Sequence, residues 1–490
     1  MKKLFALLVV LALAVSLFAA CNSGTTETTT TPASETTTTP ASESETTPVE
    51  EDTSSETTTE TESEPAAPTG EITLRTTFGA GELYAEQIEL YSLEHEGVTI
   101  EQVDVDTTKL ISMVAAGTAP DLLRIYAVQA LPFYVTRGLA GDYVDDIIYG
   151  GTLEYTNPDD FLPVIGNYRY DLATNTQGTG KLYGLVKDFS NDVAIFAWKK
   201  HLEDAGISYD PKTPFTWQQV GEYAKALTQK NGNEITRFGL SAYDGNVIDH
   251  MRLMVWVTQL GGSAYSEDFS TPKWDSDEVV SFLDWAIDLI KSGSIASPLY
   301  QPPGGQYLSP FLEEQFSMIL CGYWYTGSIR SSELTKDRTD DLVFLPTPQQ
   351  EGKDRVSFTT AACGGVALRA SKNPEETVKF LDYFFSGPPA TDRAKGGWGI
   401  PMYQSMLELM PTETNFDKQC LEVVYDEMNY MDTTFKVNPF IGFDTITALI
   451  SKYIAPVWED QSTVADAVKA INDELTPLIT EGMEIAGANK

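Results

Sequence analysis

The chain has 490 residues, of which 42% are hydrophobic, and a formal net charge of −38 at pH 7. This charge repels nucleic-acid phosphates and anionic bilayers, so it argues against both as partners and favours a neutral or cationic ligand over an anion. The cysteines after Cys21 form an odd, widely spaced set without a CxxC pair, which predicts buried free thiols at Cys321, Cys363 and Cys420, with one bridge among them left open.

The first twenty-one residues predict a secretory signal that ends in a lipid anchor. Lys2 and Lys3 precede an apolar stretch over residues 4–15, and small residues lead to Cys21, after which the chain turns polar. A bacterial lipobox places a cysteine directly after the cut, although Phe18 stands where such motifs usually carry a branched aliphatic residue. We predict a lipoprotein signal over residues 1–20 with lipid on Cys21; the alternative is an ordinary signal followed by a chance cysteine.

A low-complexity segment follows. Residues 22–69 are nearly all Thr, Ser, Glu, Pro and Ala, with eleven acidic residues and neither Lys nor Arg. The octapeptide from Thr28 to Glu35 is repeated from Thr36 to Glu43. Because such a composition cannot bury a core, residues 21–69 are predicted to form a disordered stalk, extended by proline and by like-charge repulsion.

Strand and helix signals alternate from Ile72 onward. Period-two hydrophobic residues predict a first strand that closes at Phe78, and helical spacing follows up to Gly97. A strand over 98–103, a helix around 109–116 and a short strand beginning at Asp121 complete a βαβαβ opening. This order predicts a mostly parallel sheet with helices on both faces.

The same alternation continues to the end of the chain. Residues 183–188 and 193–198 predict strands, and Thr216 with Gln219 forms a capping box at the start of a helix. Further helices are predicted up to Gly293, over residues 374–385 and around 464–475, and a buried strand over 316–320. About 420 residues of this kind suffice for two lobes with separate cores.

Ligands of doubly wound sheets bind beyond the carboxyl ends of the strands. Aromatic, acidic and amide residues fall at such ends in this chain, and they are Phe78, Asp121, Tyr126, Asp188, Asn191, Asp192, Trp324 and Trp398.

Short segments along residues 71–485 carry a resemblance to a known family. In chain order they are Ala115-Ala-Gly-Thr-Ala-Pro-Asp121, Leu182-Tyr-Gly-Leu, Ala197-Trp-Lys-Lys200, Thr216-Trp-Gln-Gln, Phe238-Gly-Leu, Gly322-Tyr-Trp324, Gly364-Gly-Val-Ala-Leu and Gly399-Ile-Pro401. Together with the lipobox, this ordered set resembles the bacterial extracellular solute-binding proteins (family 1) of ABC-type sugar importers, which include maltodextrin-binding proteins.

The resemblance implies a two-lobed α/β fold of the periplasmic-binding-protein type (type II), with a hinge and a ligand cleft between the lobes. Lobe 1 is expected to hold residues 71–187 and about 342–390, and lobe 2 about 188–341 and about 391–490. It further implies a carbohydrate ligand, ABC permease subunits as partners, no enzymatic activity, no cofactor, no metal, no nucleic acid and a monomer. The expected location is the extracellular face of the cell membrane, or the periplasm-facing membrane of a diderm organism.

A sugar requires flat aromatic surfaces and groups that accept hydrogen bonds from hydroxyls. By the resemblance, the expected ligand-binding residues are Trp324 first, then Tyr323, Trp398, Tyr126 and Phe78 for stacking, Asp121, Asp188, Asn191 and Asp192 as acceptors, and the backbone of Gly364 and Gly365.

Structural roles compete with some of these assignments. Trp256 lies in an apolar run and is interpreted as packing. Asp121 follows Pro120 and fits a loop cap equally well. Asp188, Asn191 and Asp192 are too close together for all three to point into one cleft.

Three other functions stay open. A surface glycosidase or lyase also carries carboxylates near aromatic residues, although the chain has only three histidines and no HExxH, GxSxG or P-loop pattern. The same scaffold also holds proteins for polyamines, metal ions, peptides and glycerol phosphates. A passive surface adhesin is the third.

Overall fold

The computed structural model describes residues 71–151, 153–297, 299–302, 308–359, 362–432 and 437–488. The predicted signal, Cys21 and the predicted stalk lie outside the described residues. The three remaining cysteines are free and buried, as their spacing predicts.

The first sheet has five strands and contains the βαβαβ opening. Its order across the sheet is Val98–Gln102, Ile72–Thr76, Leu122–Tyr126, Cys363–Ala367 and Gly184–Asp188. The first three strands pair in parallel, whereas Cys363–Ala367 runs antiparallel to both of its neighbours. The prediction of a mostly parallel sheet is therefore wrong for this edge, because a segment returning from far along the chain inserts between two earlier strands.

The second sheet also has five strands, in the order Leu342–Leu345, Ile195–Trp198, Phe316–Leu320, Glu234–Ala242 and Gln229–Asn231. Only Glu234–Ala242 and Phe316–Leu320 pair in parallel. Every residue of Phe316–Leu320 is buried, which is why this strand has no polar alternation in its sequence.

Two small sheets complete the strands. One pairs Ser357–Phe358 with Met431–Asp432, and the other joins Thr176–Gln177, Arg169–Asp171 and Lys181–Leu182.

Helices cover the sheets. The α-helices are Ala85–Glu94, Thr107–Ala116, Ala127–Thr136, Tyr143–Gly150, Lys199–Asp204, Trp217–Leu227, His250–Gln259, Asp277–Ser292, Leu308–Leu312, Tyr325–Ser331, Pro374–Ser386, Pro388–Gly396, Asn415–Met428, Phe443–Trp458 and Val464–Ala488. The 3-10 helices are Pro158–Asp160, Pro163–Tyr168, Thr339–Asp341 and Gln404–Leu409.

Local sequence explains several of these boundaries. The Thr216 side chain accepts from the Gln219 N–H, and the Gln219 side chain accepts in return from the Thr216 N–H, which confirms the predicted capping box. The helix Asp277–Ser292 stops at Gly293, as predicted. Trp256 packs among Trp217, Trp285 and Phe282, so it belongs to the core, as the sequence indicates.

The chain passes between the two sheets at several points. One passage follows Asp188, and another joins Leu345 to Cys363. Near the first passage, Phe189 exchanges backbone hydrogen bonds with Ile400. The lobe boundaries stay predictions, and the pairing of Leu342–Leu345 within the second sheet favours a boundary after residue 345 rather than near 342.

Gly364 and Gly365 do not serve ligand approach, contrary to the sequence prediction, because both lie buried in the strand Cys363–Ala367 between two neighbouring strands. A Cβ on Gly364 would collide with the Leu185 carbonyl oxygen and the Tyr168 ring. A Cβ on Gly365 would lie 2.8 Å from Leu122 and from Phe385. The two glycines are therefore required by packing.

We expect Gly364→Ala to lower the free energy of unfolding by about 1–3 kcal/mol, because the backbone of a central strand cannot move aside for a methyl group. Urea unfolding measures this loss. Gly150→Ala is the control: a Cβ there meets no atom within 4 Å, so this variant should lose no stability, and it should gain up to about 1 kcal/mol because alanine favours the helix that Gly150 ends. Wild-type stability for Gly364→Ala would contradict the packing role.

Candidate ligand-binding site

A cavity of about 430 Å³ opens where strands of both sheets end. The first sheet contributes Arg124, Tyr126, Lys187 and Asp188 to its wall, and the second contributes Tyr243 and Trp324 from segments just after two strands. Its volume lies in the range of roughly 300–1,000 Å³ that holds small-molecule ligands. We call this space the main cavity.

Trp324, the first of the predicted ligand-binding residues, stands on the wall from the second sheet. It is half-buried, and its indole Nε1 donates to Asp192 Oδ1 at 2.9 Å. The Tyr243 ring meets it edge to face, with 5.8 Å between the ring centroids. A ring held at its nitrogen and at one side has a defined orientation, so it can offer a prearranged surface to a ligand.

A buried arginine supports this wall from behind. Arg252 is fully buried and pairs with Asp249 at 2.7 Å and with Asp244 at 3.0 Å. Its guanidinium carbon lies 5.3 Å from the centroid of the Tyr243 ring. The Asp249 carboxylate also accepts from the Arg252 backbone N–H at the start of its helix. Removal of the Arg252 charge would leave both carboxylates without this partner, and removal of either carboxylate would leave Arg252 with a single ion pair, which would unsettle Tyr243.

Trp398 is the most exposed aromatic ring of the predicted set, at 42%. It follows the helix Pro388–Gly396 and packs on Gly327, where a Cβ would lie 2.6 Å from the indole. The glycine lets the ring lie flat against the helix Tyr325–Ser331, and the rest of the ring borders the main cavity. The structure therefore places Trp398 at the same cavity as Trp324, and its contact with a ligand stays a prediction.

Tyr126 borders the same cavity with 37% of its surface exposed. Arg124, two residues before it on the same face of the strand, stacks on the ring at 4.2 Å and donates from Nη2 to the hydroxyl at 3.0 Å. Burial raises the pKa of Tyr126, so the hydroxyl is neutral at physiological pH.

Charged groups of the first sheet's wall neutralise one another. Glu82 accepts from Arg124 Nε at 3.0 Å and from Lys187 Nζ at 2.7 Å, and Lys187 also lies 3.2 Å from Asp188. Burial opposes ionisation of Glu82, but Lys187 and Arg124 hold its pKa at about 2. Burial likewise opposes the charge on Lys187, yet Asp188 and Glu82 raise its pKa. These four side chains form a paired cluster that adds no net charge to the cavity.

Two further groups complete this side. Burial raises the pKa of the Cys363 thiol to about 12, so it is a neutral thiol at the cavity wall. Arg393 donates from Nη2 to the Phe384 carbonyl and stacks on the Phe384 ring, and burial lowers its pKa to about 10.

Asp192 is a buried carboxylate at the floor of the main cavity. Burial raises its pKa to about 7, although the hydrogen bond from Trp324 and the charge of Arg252 favour the ionised form. Asp188 and Asp244 act in the same direction as burial. A carboxyl group with this pKa is partly protonated at pH 7, so it can accept a hydrogen bond from a ligand hydroxyl or donate one to it.

The structure places four other predicted ligand-binding side chains away from the main cavity. Phe78 is fully buried between Phe384 and Phe385, at centroid distances of 5.3 and 5.5 Å. Tyr323 is buried and turns its ring toward Phe344. Its neighbour Trp324, in the same turn after the strand Phe316–Leu320, borders the cavity instead.

Asp121 and Asn191 have structural roles. Asp121 accepts from the Arg75 N–H at 2.9 Å and from the Ser371 hydroxyl at 2.6 Å, which ties a strand to a loop. Asn191 donates to Glu427 Oε2 at 2.9 Å and to Ser357 Oγ, where the chain passes between the sheets. Asp188 and Asp192 reach the main cavity and Asn191 does not, so two of this closely spaced trio face it.

Sequence reasoning missed the charged and aromatic residues Glu82, Arg124, Lys187, Tyr243 and Arg393. A weak signal existed for two of them: Arg124 alternates with Tyr126, and Tyr243 directly follows a strand. Glu82 lies in a turn before a helix and carries no such signal.

The arrangement suits a neutral, hydroxyl-rich ligand, since it combines aromatic surfaces with carboxylates and pairs the cations Arg124 and Lys187 with carboxylates. Arg393, the third cation of the wall, has no ion pair among the described residues and donates to the Phe384 carbonyl. Within the described ranges, no cluster of three or more His, Cys, Asp or Glu side chains could hold a metal ion. The helices that the structure describes include none long and apolar enough to span a membrane.

Comparison with known proteins identifies relatives of this fold. The profile of the family described as bacterial extracellular solute-binding protein matches residues 86–416. An ABC substrate-binding protein of Listeria monocytogenes, solved with cycloalternan, superposes with a TM-score of 0.67 at 20% identity, covering 84% of this chain and 98% of its own.

Two solute-binding proteins of ABC transporters are similarly related. One from Thermotoga lettingae, bound to alpha-D-tagatose, has a TM-score of 0.64 at 17% identity, covering 84% of this chain and 100% of its own. One from Agrobacterium radiobacter, in complex with ribitol, has a TM-score of 0.64 at 17% identity, with the same coverage. These likenesses confirm the predicted two-lobed α/β fold.

We expect ionisation of Asp192 to oppose folding as pH rises. Its folded pKa lies above the ordinary value of 3.8, so the stabilising effect of the protonated form is complete below about pH 4 and is lost as pH rises through 7. Relative to the unaltered protein, Asp192→Asn should therefore gain about 2 kcal/mol in unfolding free energy between about pH 5 and pH 7.

Urea unfolding across this pH range measures the difference. Asp249, whose pKa burial also raises, is present in both proteins and cancels in the comparison. A stability difference that stays constant with pH would contradict a raised pKa at Asp192.

Proposed function

The chain belongs to the family of bacterial extracellular solute-binding proteins, and we propose that it captures a carbohydrate between its lobes and delivers it to the permease of an ABC importer. The observation that carries the choice of carbohydrate is the pairing of exposed aromatic rings, Trp398 and Tyr126, with the carboxylates Asp188 and Asp192 around one cavity. Sugar rings present apolar C–H faces to aromatic side chains and hydroxyls to carboxylates.

The ligands of related structures support this choice. They are cycloalternan, alpha-D-tagatose and ribitol in the proteins described above, D-mannitol in one from Agrobacterium vitis, and maltose in one from T. maritima. All are neutral and rich in hydroxyls, whereas the sequence identities are only 17–20%. The support therefore concerns the class of ligand and not a particular sugar.

A polyamine or another cation fits the main cavity less well. A cation would require unpaired carboxylates. Glu82 is occupied by Arg124 and Lys187, and Asp188 lies beside Lys187, which leaves the exposed Asp392 and the buried Asp192 at the wall. Burial raises the pKa of Asp192 to about 7, so this carboxyl group carries only part of a negative charge at pH 7. The high negative charge of the whole chain is thus not reproduced at the cavity.

The family consists of binding proteins, which accords with a binding role rather than surface hydrolysis. In this role the carboxylates accept hydrogen bonds from sugar hydroxyls.

We also propose that Cys21 carries lipid and holds the protein on the outer face of the cell membrane, with residues 22–69 as an extended tether. The support is the sequence of the signal and its cysteine, since these residues lie outside the described ranges. Anchoring keeps the capture protein near its permease, which raises the effective concentration of the loaded protein at the permease.

We expect Trp324→Ala and Trp398→Ala each to weaken binding about tenfold or more, because each removes an aromatic surface at the main cavity. Calorimetry on the purified full chain measures this, after a thermal-shift screen with cycloalternan, maltose, mannobiose, tagatose, ribitol and mannitol. Trp398→Ala tests the loss of the aromatic surface by itself, whereas Trp324→Ala also removes the hydrogen bond to Asp192.

Tyr425→Ala is the control, since this exposed tyrosine borders none of the cavities described for this chain. Its affinity should equal that of the unaltered protein. Unchanged affinity in both tryptophan variants would refute the site, and turnover of any of these sugars would refute a pure binding role.

For the anchor, we expect palmitate fed to a bacterial host to label the unaltered protein and to leave Cys21→Ser unlabelled, because only a thiol forms the lipid linkage. Cys420→Ser serves as the control, since it removes a buried thiol and leaves Cys21 in place. Membrane fractionation should show release of Cys21→Ser alone. Label on Cys21→Ser would disprove the assignment.

A further inference from the structure

Two more cavities continue the main cavity along one edge of the first sheet. The second cavity, of about 270 Å³, is bordered by Thr77, Asp104, Asp106 and Tyr134. The third, of about 170 Å³, lies between the segment from Tyr126 to Tyr134 and the start of the helix Phe443–Trp458. Arg124 borders all three, and Tyr126 borders both the main and the third cavity.

This alignment follows from the parallel strands of the opening. Ile72–Thr76, Val98–Gln102 and Leu122–Tyr126 run in the same direction, so the residues that follow them gather at one edge. Thr77 and Asp104 follow their strands, and Tyr126 is the last residue of its strand. The three cavities lie side by side along this edge, because the main and third cavities share Tyr126 as a border and the second and third share Tyr134 and Asp444. Ligands of open α/β sheets bind along such an edge.

The third cavity has a wall from a distant part of the chain. Gly442, Phe443 and Asp444 begin a helix that packs on helices of the second sheet's side, yet they face the strand end of the first sheet across this space. The third cavity therefore repeats the design of the main cavity, with walls from both sides.

We call the second and third cavities together the extension. The side chains along it are of the same kinds as those of the main cavity. Phe443 is half-buried and brings an aromatic ring, and Asp104 and Asp444 bring exposed carboxylates. Tyr126 stands at the junction with its ring stacked by Arg124. Alternating apolar surfaces and hydroxyl acceptors suit successive sugar rings of one chain.

The acidic residues of the extension do not form a cation site. Asp106 caps its helix by accepting from the Lys109 N–H at 2.7 Å, and among the residues the structure describes no acidic group is arranged to hold a metal. The extension is thus better matched to hydroxyls than to a divalent cation.

We infer that the ligand is an oligosaccharide of at least three units, whose chain leaves the main cavity past Tyr126 and Arg124 and ends against Phe443 and Asp444. The inference rests on the proposed capture of a carbohydrate. The main cavity alone lies low in the range of ligand sites, and the two neighbouring cavities together equal its volume again. A monosaccharide or polyol would leave the extension without a ligand.

Calorimetry with two series of sugars of increasing length, or ladders, tests this inference. One ladder is the α-1,4-glucans from glucose to maltopentaose, and the other is the β-1,4-mannans from mannose to mannopentaose. Tagatose and ribitol serve as short probes. The full chain is used with three variants: Phe443→Ala, Asp444→Asn and the control Asp460→Asn. Asp460 is an exposed carboxylate that borders none of the three cavities. Asp444→Asn keeps the shape of the side chain, so it guards against loss of folding in Phe443→Ala.

The expected result is an affinity that rises at least tenfold from the disaccharide to the tetrasaccharide of one ladder. Phe443→Ala and Asp444→Asn should remove about tenfold of affinity for the tetrasaccharide and leave the disaccharide within twofold. Asp460→Asn should change neither.

Other outcomes overturn the inference in distinguishable ways. If affinity is independent of length, or if only tagatose or ribitol binds, the oligosaccharide assignment fails while carbohydrate capture stands. If the extension variants weaken all lengths equally, the extension is structural and the assignment also fails. If no probe binds, the proposed function itself fails.

Discussion

A buried charge must be paired, and this constraint organises the site. Glu82 lies between Arg124 and Lys187, and Arg252 lies between Asp244 and Asp249 behind Tyr243. A third group, at the passage between the sheets, joins Glu427 to Arg355, Asn191 and Ser357. Each group joins segments that are separate in sequence or holds an aromatic wall in place. Loss of one member would strand the others in a low-dielectric environment, so the geometry of the walls depends on complete groups.

Pairing also decides what the main cavity can bind. The chain as a whole is strongly acidic, but its charged side chains around this cavity are largely satisfied by one another. What is left for a ligand is aromatic surface, the partly protonated Asp192, the outward edges of paired carboxylates, and the side chains of Asp392 and Arg393. A neutral polyol or sugar loses little solvation on entering such a space, whereas a free ion would have to compete with internal ion pairs.

The position of the site links ligand contact to both sheets. Asp188 ends a strand of the first sheet, Asp192 belongs to the passage that follows, and Trp324 donates to Asp192 from the second sheet. Phe189, between the two aspartates, pairs with Ile400 from a second segment of the chain. A ligand that bridges these groups contacts both sides of the passage at once, which is how closure of two lobes can be coupled to occupancy.

The amino-acid sequence by itself determined the elements and the family: periodicity, the capping box at Thr216 and the ordered segments predicted strands, helices and a two-lobed fold, and strand ends pointed to Trp324, Trp398, Tyr126, Asp188 and Asp192. These signals are local, because period and capping act over a few residues.

Only the tertiary structure decided which strand-end side chains face the cavity. Phe78 is enclosed by Phe384 and Phe385, and Asn191 is held by Glu427, partners more than two hundred residues away. Likewise, the insertion of Cys363–Ala367 between two early strands created the packing that requires Gly364, and the cations that neutralise Glu82 come from two different strands. Contacts of this kind depend on how distant segments meet in space, which no local pattern specifies.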